Sequence, residues 1–173
     1  TAITAADTSV TYDAVAGRMA IVNGRLVFTA GAEEDGTASA GTELFVVDDP
    51  LAAAPTARLL EINLTRTGDR YGSTLGSSPS NLTVVGAAGS QRLLFTANGE
   101  AAVTAPAVWS TDGTRDGTVQ IAAASMLSPS QIVAAGSRAF YVTDSGRPGS
   151  LERAGAGTGP FTAVPLGERY GME

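Results

Sequence analysis

The chain has no cysteine, no histidine and no lysine, so all 11 of its basic residues are arginine. Without cysteine there is no disulfide framework and no thiolate chemistry. Without histidine, Ser-His-Asp and Cys-His catalysis and histidine-ligated metal sites drop out. The missing lysine, beside abundant alanine, glycine and arginine, reflects a high-GC bacterial codon bias rather than a chemical requirement. Aromatic residues are scarce at 6%. No apolar run approaches the roughly 18 residues that a bilayer-spanning helix needs. The formal net charge of -6 is spread rather than blocked, which argues against a nucleic-acid surface and serves mainly solubility.

What is present points to strands. With 173 residues the chain can form one domain with a core, or several small repeated units. The hydrophobic 43% is mostly Ala, Val, Leu and Ile in short runs, set among 21 Gly, 8 Pro and many Ser and Thr. That mixture suits many strands joined by tight turns. The opening Thr1-Ala2-Ile3-Thr4-Ala5-Ala6 carries no positive n-region and no apolar h-region. We read it as the start of a chain whose leader has been removed, and expect an extracytoplasmic location, periplasmic or secreted.

Taken in order, residues 1–16 form an N-terminal extension with a short strand at Ser9-Val10-Thr11-Tyr12. Arg18-Met19-Ala20-Ile21-Val22, Asn23-Gly24 and Arg25-Leu26-Val27-Phe28-Thr29-Ala30 then spell a β-hairpin, because both central residues of a type I′ turn need positive φ. Gly31 to Gly41 reads as a polar loop, followed by a strand at Thr42–Val47. For 51–62 the alternative is a short helix, since Ala, Leu and Arg are good formers, but Pro55 disfavours a long one and the preferred reading is a loop and a strand. Residues 63–78 are the longest irregular stretch, of the kind that often forms a binding loop.

Internal similarity organises the rest. Arg25-Leu26-Val27-Phe28-Thr29-Ala30 matches Arg92-Leu93-Leu94-Phe95-Thr96-Ala97, and Arg138-Ala139-Phe140-Tyr141-Val142-Thr143 is a third copy. Ser78-Pro79-Ser80-Asn81-Leu82 matches Ser128-Pro129-Ser130-Gln131-Ile132. Leu44-Phe45-Val46-Val47-Asp48 aligns with Val108-Trp109-Ser110-Thr111-Asp112, while the third copy near Leu151-Glu152-Arg153 is eroded. The reading is an all-β chain of three four-stranded antiparallel units, 17–63, 78–123 and 128–167, with a C-terminal tail at 168–173. The expected strands are 17–24, 25–32, 42–48 and 57–63, then 80–86, 91–98, 106–111 and 117–123, then 130–136, 138–144, 149–154 and 160–166. Four short strands repeating at about 45–50 residues is the period of propeller blades.

The stretch Val108-Trp109-Ser110-Thr111-Asp112-Gly113-Thr114-Arg115-Asp116-Gly117-Thr118-Val119 resembles the bacterial repeat written ELWxTDGTxxGT. Glu43-Leu44-Phe45 is similar to its ELW part, and Asp35-Gly36-Thr37 to the DGT that often precedes it. The resemblance covers about residues 17–167 and lapses in the third unit, where Ala154-Gly155-Ala156 replaces Thr-Asp-Gly. It implies a secreted, multi-bladed β-propeller without an assigned activity. Propellers usually close with about four to eight blades. Three units leave faces open, and the alternatives are that the chain is a fragment, that it self-associates, with two copies supplying six blades, that the units pack otherwise, or that other protein subunits cover the faces. The expected function is a non-catalytic interaction or structural module, an extrinsic subunit at the periphery of an envelope or membrane complex, with no cofactor.

Several side chains invite a chemical role. Asp112 and Asp116 could offer carboxylates to Ca²⁺, but they lack the D-x-D-x-D-G spacing and distant Glu of an EF-hand loop, and a backbone-bonded turn is the preferred reading. Trp109 could be a sugar-stacking platform, the basis of an alternative carbohydrate-binding reading, although packing within or between units is preferred. Arg66, Arg70 and Tyr71 in the long loop suit bidentate and stacking contacts, and with Trp109 they are the candidate partner-binding residues. The remaining alternative is a hydrolase built on carboxylates such as Glu33-Glu34-Asp35 or Asp48-Asp49, or on Thr1 as an N-terminal nucleophile. We assign no catalytic residue and no metal site.

Overall fold

The computed structural model describes residues 3–5, 10–13, 18–34, 38–60, 62, 76–99, 106–122, 129–143, 148–153 and 161–165. These residues are all-β, with no helix among them. Sheet I contains β1 (Thr4–Ala5), β2 (Val10–Asp13), β3 (Met19–Val22), β4 (Arg25–Glu34), β5 (Ala38–Val47) and β6 (Thr56–Leu60). Sheet II contains β7 (Ser80–Val85), β8 (Arg92–Ala97), β9 (Ala107–Thr111) and β10 (Val119–Ala122). Sheet III contains β11 (Pro129–Ala135), β12 (Arg138–Thr143), β13 (Pro148–Arg153) and β14 (Phe161–Pro165). Within β3–β6, β7–β10 and β11–β14 each strand pairs antiparallel with the next, and none of the three sheets closes on itself.

Turn chemistry explains the tight connections. Asn23 and Gly24 have φ of 48° and 82°, the two left-handed residues of a type I′ turn, and Val22 lies opposite Arg25. Between β11 and β12 only Gly136 has positive φ, 63°, which fits a II′ turn with Ala135 opposite Arg138. After β5 the Leu51 N–H donates to the Asp49 carboxylate at 3.1 Å, and β6 starts directly after Pro55. This is the expected loop and strand.

The polar segment 31–41 departs from its expected loop form. β4 runs on to Glu34 and β5 begins at Ala38, with a register shift between Ala32 and Glu33. The extension is held from outside, because β2 pairs with Gly31–Glu34 while β3 pairs with Arg25–Phe28 of the same strand. Backbone pairing, which is blind to side-chain polarity, overrides the composition signal here. β1 adds a parallel edge to β6, with Thr4 opposite Thr56.

Strand alternation gives each sheet two faces, and both are apolar near the middle of the chain. Leu93, Leu94, Phe95, Thr96 and Ala97 of β8 are all buried in sequence. Such a run fits a strand covered on both sides. Leu93, Phe95 and Ala97, with Leu82, Val84 and Trp109, form the front face of sheet II and pack on the back face of sheet I, which presents Val22, Val27, Leu44, Val46 and Leu60. Val85, Leu94, Val108 and Ile121 form the back face of sheet II and meet Ile132, Ala139 and Tyr141 at the front of sheet III. The stack is therefore back on front, twice. The first strands run side by side, with β7 against both β3 and β11.

Truncating a residue at this double interface should cost far more than truncating one on an outer face. Phe95 is fully buried, and Phe95→Ala should lower unfolding free energy by about 3–5 kcal/mol. Val133→Ala, on a half-exposed residue, should change it by about 0.5 kcal/mol. Urea denaturation of both variants checks this, and similar losses would contradict the stack.

Candidate functional site

Polar groups fix how sheets I and II meet. At one end the two turns are stitched together by amides. Asn23 N–H donates to Gln91 Oε1, Asn23 Nδ2 donates to the Gln91 carbonyl, and Gln91 N–H donates to Asn23 Oδ1, each at 2.9 Å. At the other end the fully buried carboxylate of Glu43 accepts from Ser77, from its N–H at 2.6 Å and from its hydroxyl. A buried carboxylate without donors would cost several kcal/mol, so this pairing is a condition of the fold. The 76–79 segment that carries Ser77 is further tied by Ser78 N–H to the Thr42 carbonyl at 2.9 Å and by Asn98 N–H to the Ser77 carbonyl at 2.7 Å. Gly41 is needed for this crossing, since a Cβ there would lie 2.7 Å from Gly76 Cα.

A third seam joins an arginine pair to the Asp-Gly-Thr turn. Asp48 receives Arg25 Nε at 2.8 Å and Arg58 Nε at 2.8 Å. Arg25 Nη1 also reaches the Asp112 carbonyl at 3.3 Å, and Arg58 Nη2 donates to the Gly113 carbonyl. Hydrogen bonding from Arg58, against the opposing effect of partial burial and aided by Arg25, holds the Asp48 carboxyl below the usual carboxylate range. Gly113 has φ of 89°, and a Cβ there would lie 2.9 Å from Arg25 Cδ. Exposed ion pairs are worth about 0–1 kcal/mol each, so this cluster orients the sheets more than it stabilises them.

The turn itself is knitted from within. Asp112 Oδ1 accepts from Thr114 N–H at 2.9 Å and from Thr114 Oγ1 at 2.6 Å. Thr114 Oγ1 in turn accepts from Gly117 N–H at 3.0 Å, and Thr118 Oγ1 donates to the Thr114 carbonyl at 2.6 Å. Burial alone would raise the Asp112 carboxyl, but the Thr114 hydrogen bonds and the nearby Arg92 charge outweigh it and lower it. Arg92 Nη1 stands 3.8 Å from Asp112 Oδ2 and donates to the Gly117 carbonyl at 2.8 Å. Asp116 is exposed beside this knot. No group of three acidic side chains gathers among the described residues.

Trp109 is partly buried in the core between sheets I and II, opposite Phe95 and Gln120. Its Nε1 donates to the Ala97 carbonyl at 3.2 Å, and a Cβ on Gly99 would come within 2.9 Å of its ring. Arg66, Arg70 and Tyr71 lie outside the described residues, as do Thr1 and Asp35. Glu33 and Glu34 sit in β4, and Asp48 is occupied as above. A cavity of about 360 Å³ opens beside Asp48, lined by Asp49, Ala52, Ala54, Pro55, Thr56 and Arg58 as well.

The large apolar side chains exposed among the described residues are Met19, Ile21, Leu51, Val119, Val133 and Phe140, whereas Ala30, Phe45, Val47 and Ala57 on the front of sheet I are buried. On the front of sheet I, Leu26, Phe28, Phe45 and Val47 form an apolar layer, with Phe28 and Phe45 stacked at 5.6 Å. Ile3 packs on that layer, whereas Met19 and Ile21 on β3 are 63% and 51% exposed. On the back of sheet III, Val133 of β11 and Phe140 of β12 lie opposite each other and are 50% and 38% exposed.

Composition and turn signals did not reveal Glu43, Ser77, Arg25 or Arg58 as joint residues. The one available sign was repetition, since Arg25, Arg92 and Arg138 each precede the second strand's apolar run. No family model, curated protein or solved structure matches the chain.

Two outcomes follow for these joints. Ser77→Ala removes the hydroxyl from a buried carboxylate and should cost about 1–3 kcal/mol in urea unfolding, where a loss below about 0.5 kcal/mol would contradict the pairing. Because the Asp48 pKa is lowered in the folded state, its contribution is complete above the unfolded value of about 3.9 and is lost as pH falls through the folded value. Carboxyl NMR titration should place the Asp48 midpoint below that value, and Arg58→Gln should move it upward. An unmoved midpoint would remove Arg58 as the cause.

Proposed function

We propose that the three sheets are successive blades of a propeller-like stack, and that the chain is a non-catalytic, extracytoplasmic interaction or structural module. Its work is to present its exposed apolar edges to other protein, as an extrinsic subunit of a larger envelope or membrane assembly. The observation that carries this reading is the pair of exposed apolar edges, Met19 and Ile21 on β3 and Val133 and Phe140 on β11 and β12. Exposed apolar patches on an ordered scaffold mark interaction surfaces. The blade reading is supported by the side-by-side first strands β3, β7 and β11, with each meander running on from its own first strand. It is also supported by the repeat pattern that resembles ELWxTDGTxxGT. No helix among the described residues is long and apolar enough to cross a membrane, which is silent on β-barrels.

A non-catalytic role is consistent with the state of the polar side chains. Asp48, Asp112, Glu43 and Ser77 are all engaged in joints or turns, and the cavity beside Asp48 is lined by a carboxylate already bound to two arginines. The test is the native mass of the assembly recovered from source material with an affinity tag. The chain should be recovered in a complex larger than its own 17.4 kDa, and Met19→Glu with Ile21→Glu should reduce that recovery. Recovery of the chain alone would contradict the reading.

A further inference from the structure

We infer that Asn98-Gly99, directly after β8, is a modification site at which the asparagine side chain is lost spontaneously as ammonia through a cyclic imide. The Gly99 nitrogen attacks Asn98 Cγ, so an N–Cγ bond forms and the Cγ–Nδ2 bond breaks. The leaving nitrogen departs as ammonia, taking the proton that Gly99 gives up. Water, the only co-reactant, then adds to either carbonyl of the imide ring. One opening leaves an aspartyl residue at position 98, and the other an isoaspartyl link whose main chain runs through Cβ and Cγ. Glycine on the carboxyl side favours the attack, because no side chain shields its nitrogen.

Four dipeptides of this reactive kind fall among the described residues, Asn23-Gly24, Asn98-Gly99, Asp112-Gly113 and Asp116-Gly117. Asn23 is held back because both polar atoms of its side chain are fixed on Gln91. Its Nδ2 donates to the Gln91 carbonyl and its Oδ1 accepts from the Gln91 N–H, each at 2.9 Å. At the two Asp-Gly links the attacking nitrogen is committed elsewhere. Gly113 N–H donates to Thr111 Oγ1 at 2.9 Å, and Gly117 N–H to Thr114 Oγ1 at 3.0 Å. A carboxylate is also a poorer electrophile than an amide. Asn98 carries neither restraint. It is half-buried, and its own N–H donates to the Ser77 carbonyl at 2.7 Å. Among the described residues neither its side-chain amide nor the Gly99 N–H has a hydrogen-bond partner.

The site matters because it lies on the joint between sheets I and II. Asn98 holds the Ser77 carbonyl, and Ser77 in turn gives its N–H and its hydroxyl to the buried Glu43 carboxylate. On the other side Gly99 is buried against Trp109, so closely that a Cβ there would lie 2.9 Å from the ring. An isoaspartyl link adds a methylene to the main chain between these two fixed points. Either the bond to Ser77 or the contact with Trp109 must then shift. The product also places a negative charge on the residue that holds Ser77, the donor to Glu43, and neighbouring carboxylates disfavour each other's ionised form. Reaction at position 98 therefore loosens the segment that satisfies Glu43 while leaving the pairing of β8 in place.

The test ages the purified full chain in mildly alkaline buffer, folded and in urea, and maps its peptides by mass spectrometry. Cleavage after arginine places Asn98 in peptide 93–115 and Asn23 in peptide 19–25, each without a second asparagine. In the folded chain, peptide 93–115 should gain the mass difference between an amide and an acid and separate into aspartyl and isoaspartyl forms. The bonds between Asn23 and Gln91 should keep conversion of peptide 19–25 at least about tenfold slower. In urea the two rates should converge. The aged chain should unfold at a lower urea concentration than the fresh one, and Asn98→Gln should show neither the mass gain in peptide 93–115 nor this fall. Equal conversion of the two peptides in the folded chain would overturn the assignment. So would an intact Asn98 in the folded chain over the time in which the urea-unfolded chain converts fully. Conversion at Asn98 with an unchanged unfolding midpoint would overturn its place in the joint.

Discussion

A short antiparallel sheet that is apolar on both faces has to be covered on both faces, and this constraint governs the structure. It is strictest in β8, where five consecutive residues are buried. Odd and even positions along that strand point to opposite sides, so burying Leu93 and Phe95 does nothing for Leu94. Sheet II therefore needs a neighbour in front and another behind. Sheets I and III meet that need, and among the described residues no further sheet packs on the outer face of either.

Apolar burial supplies the driving force, and polar joints decide the alignment. A flat apolar layer tolerates sliding, whereas the reciprocal Asn23 and Gln91 bonds, the Glu43 pairing to Ser77 and the arginine reach to the 112–113 turn each have one geometry. The buried pair is the most demanding of these, because a carboxylate left without donors inside the protein is penalised more heavily than an exposed ion pair is rewarded. Sheets II and III are joined more sparely. Thr83 Oγ1 donates to the Ile132 carbonyl at 2.9 Å, and Gly86 N–H to the Gly136 carbonyl at 3.2 Å.

Much of the strand pattern was legible in the sequence, for identifiable reasons. Asn23-Gly24 has one favoured turn, and the repeated Arg-apolar run marks the second strand of every unit. The eroded third copy is also resolved in its register, with Gly149 rather than a residue of Leu151–Arg153 standing opposite Tyr141. The extension of β4 and β5 through polar residues was hidden, because its support comes from β2, distant in sequence. The joint residues were hidden for a related reason. Glu43 looks like a solvated strand residue until Ser77 is placed beside it, and no local pattern announces a pair separated by 34 positions. Trp109 and the Asp-Gly-Thr turn drew attention as chemistry, and the structure places them at a packing seam and in a self-bonded turn.

The function we propose follows from the same constraint that builds the fold, since the apolar residues offered to a partner are of the kind buried between the sheets. The central claim is that sheet II is clamped on both sides while sheets I and III are each clamped on one. Native-state hydrogen exchange of individual amides tests it most directly, because exchange from a clamped sheet requires global opening. The account predicts that the amides of Leu93, Leu94 and Phe95 exchange most slowly, with a free energy equal to that of global unfolding, and that β12 opens at lower cost. Equal protection in all three sheets, or faster exchange in β8 than in β4 and β12, would contradict it.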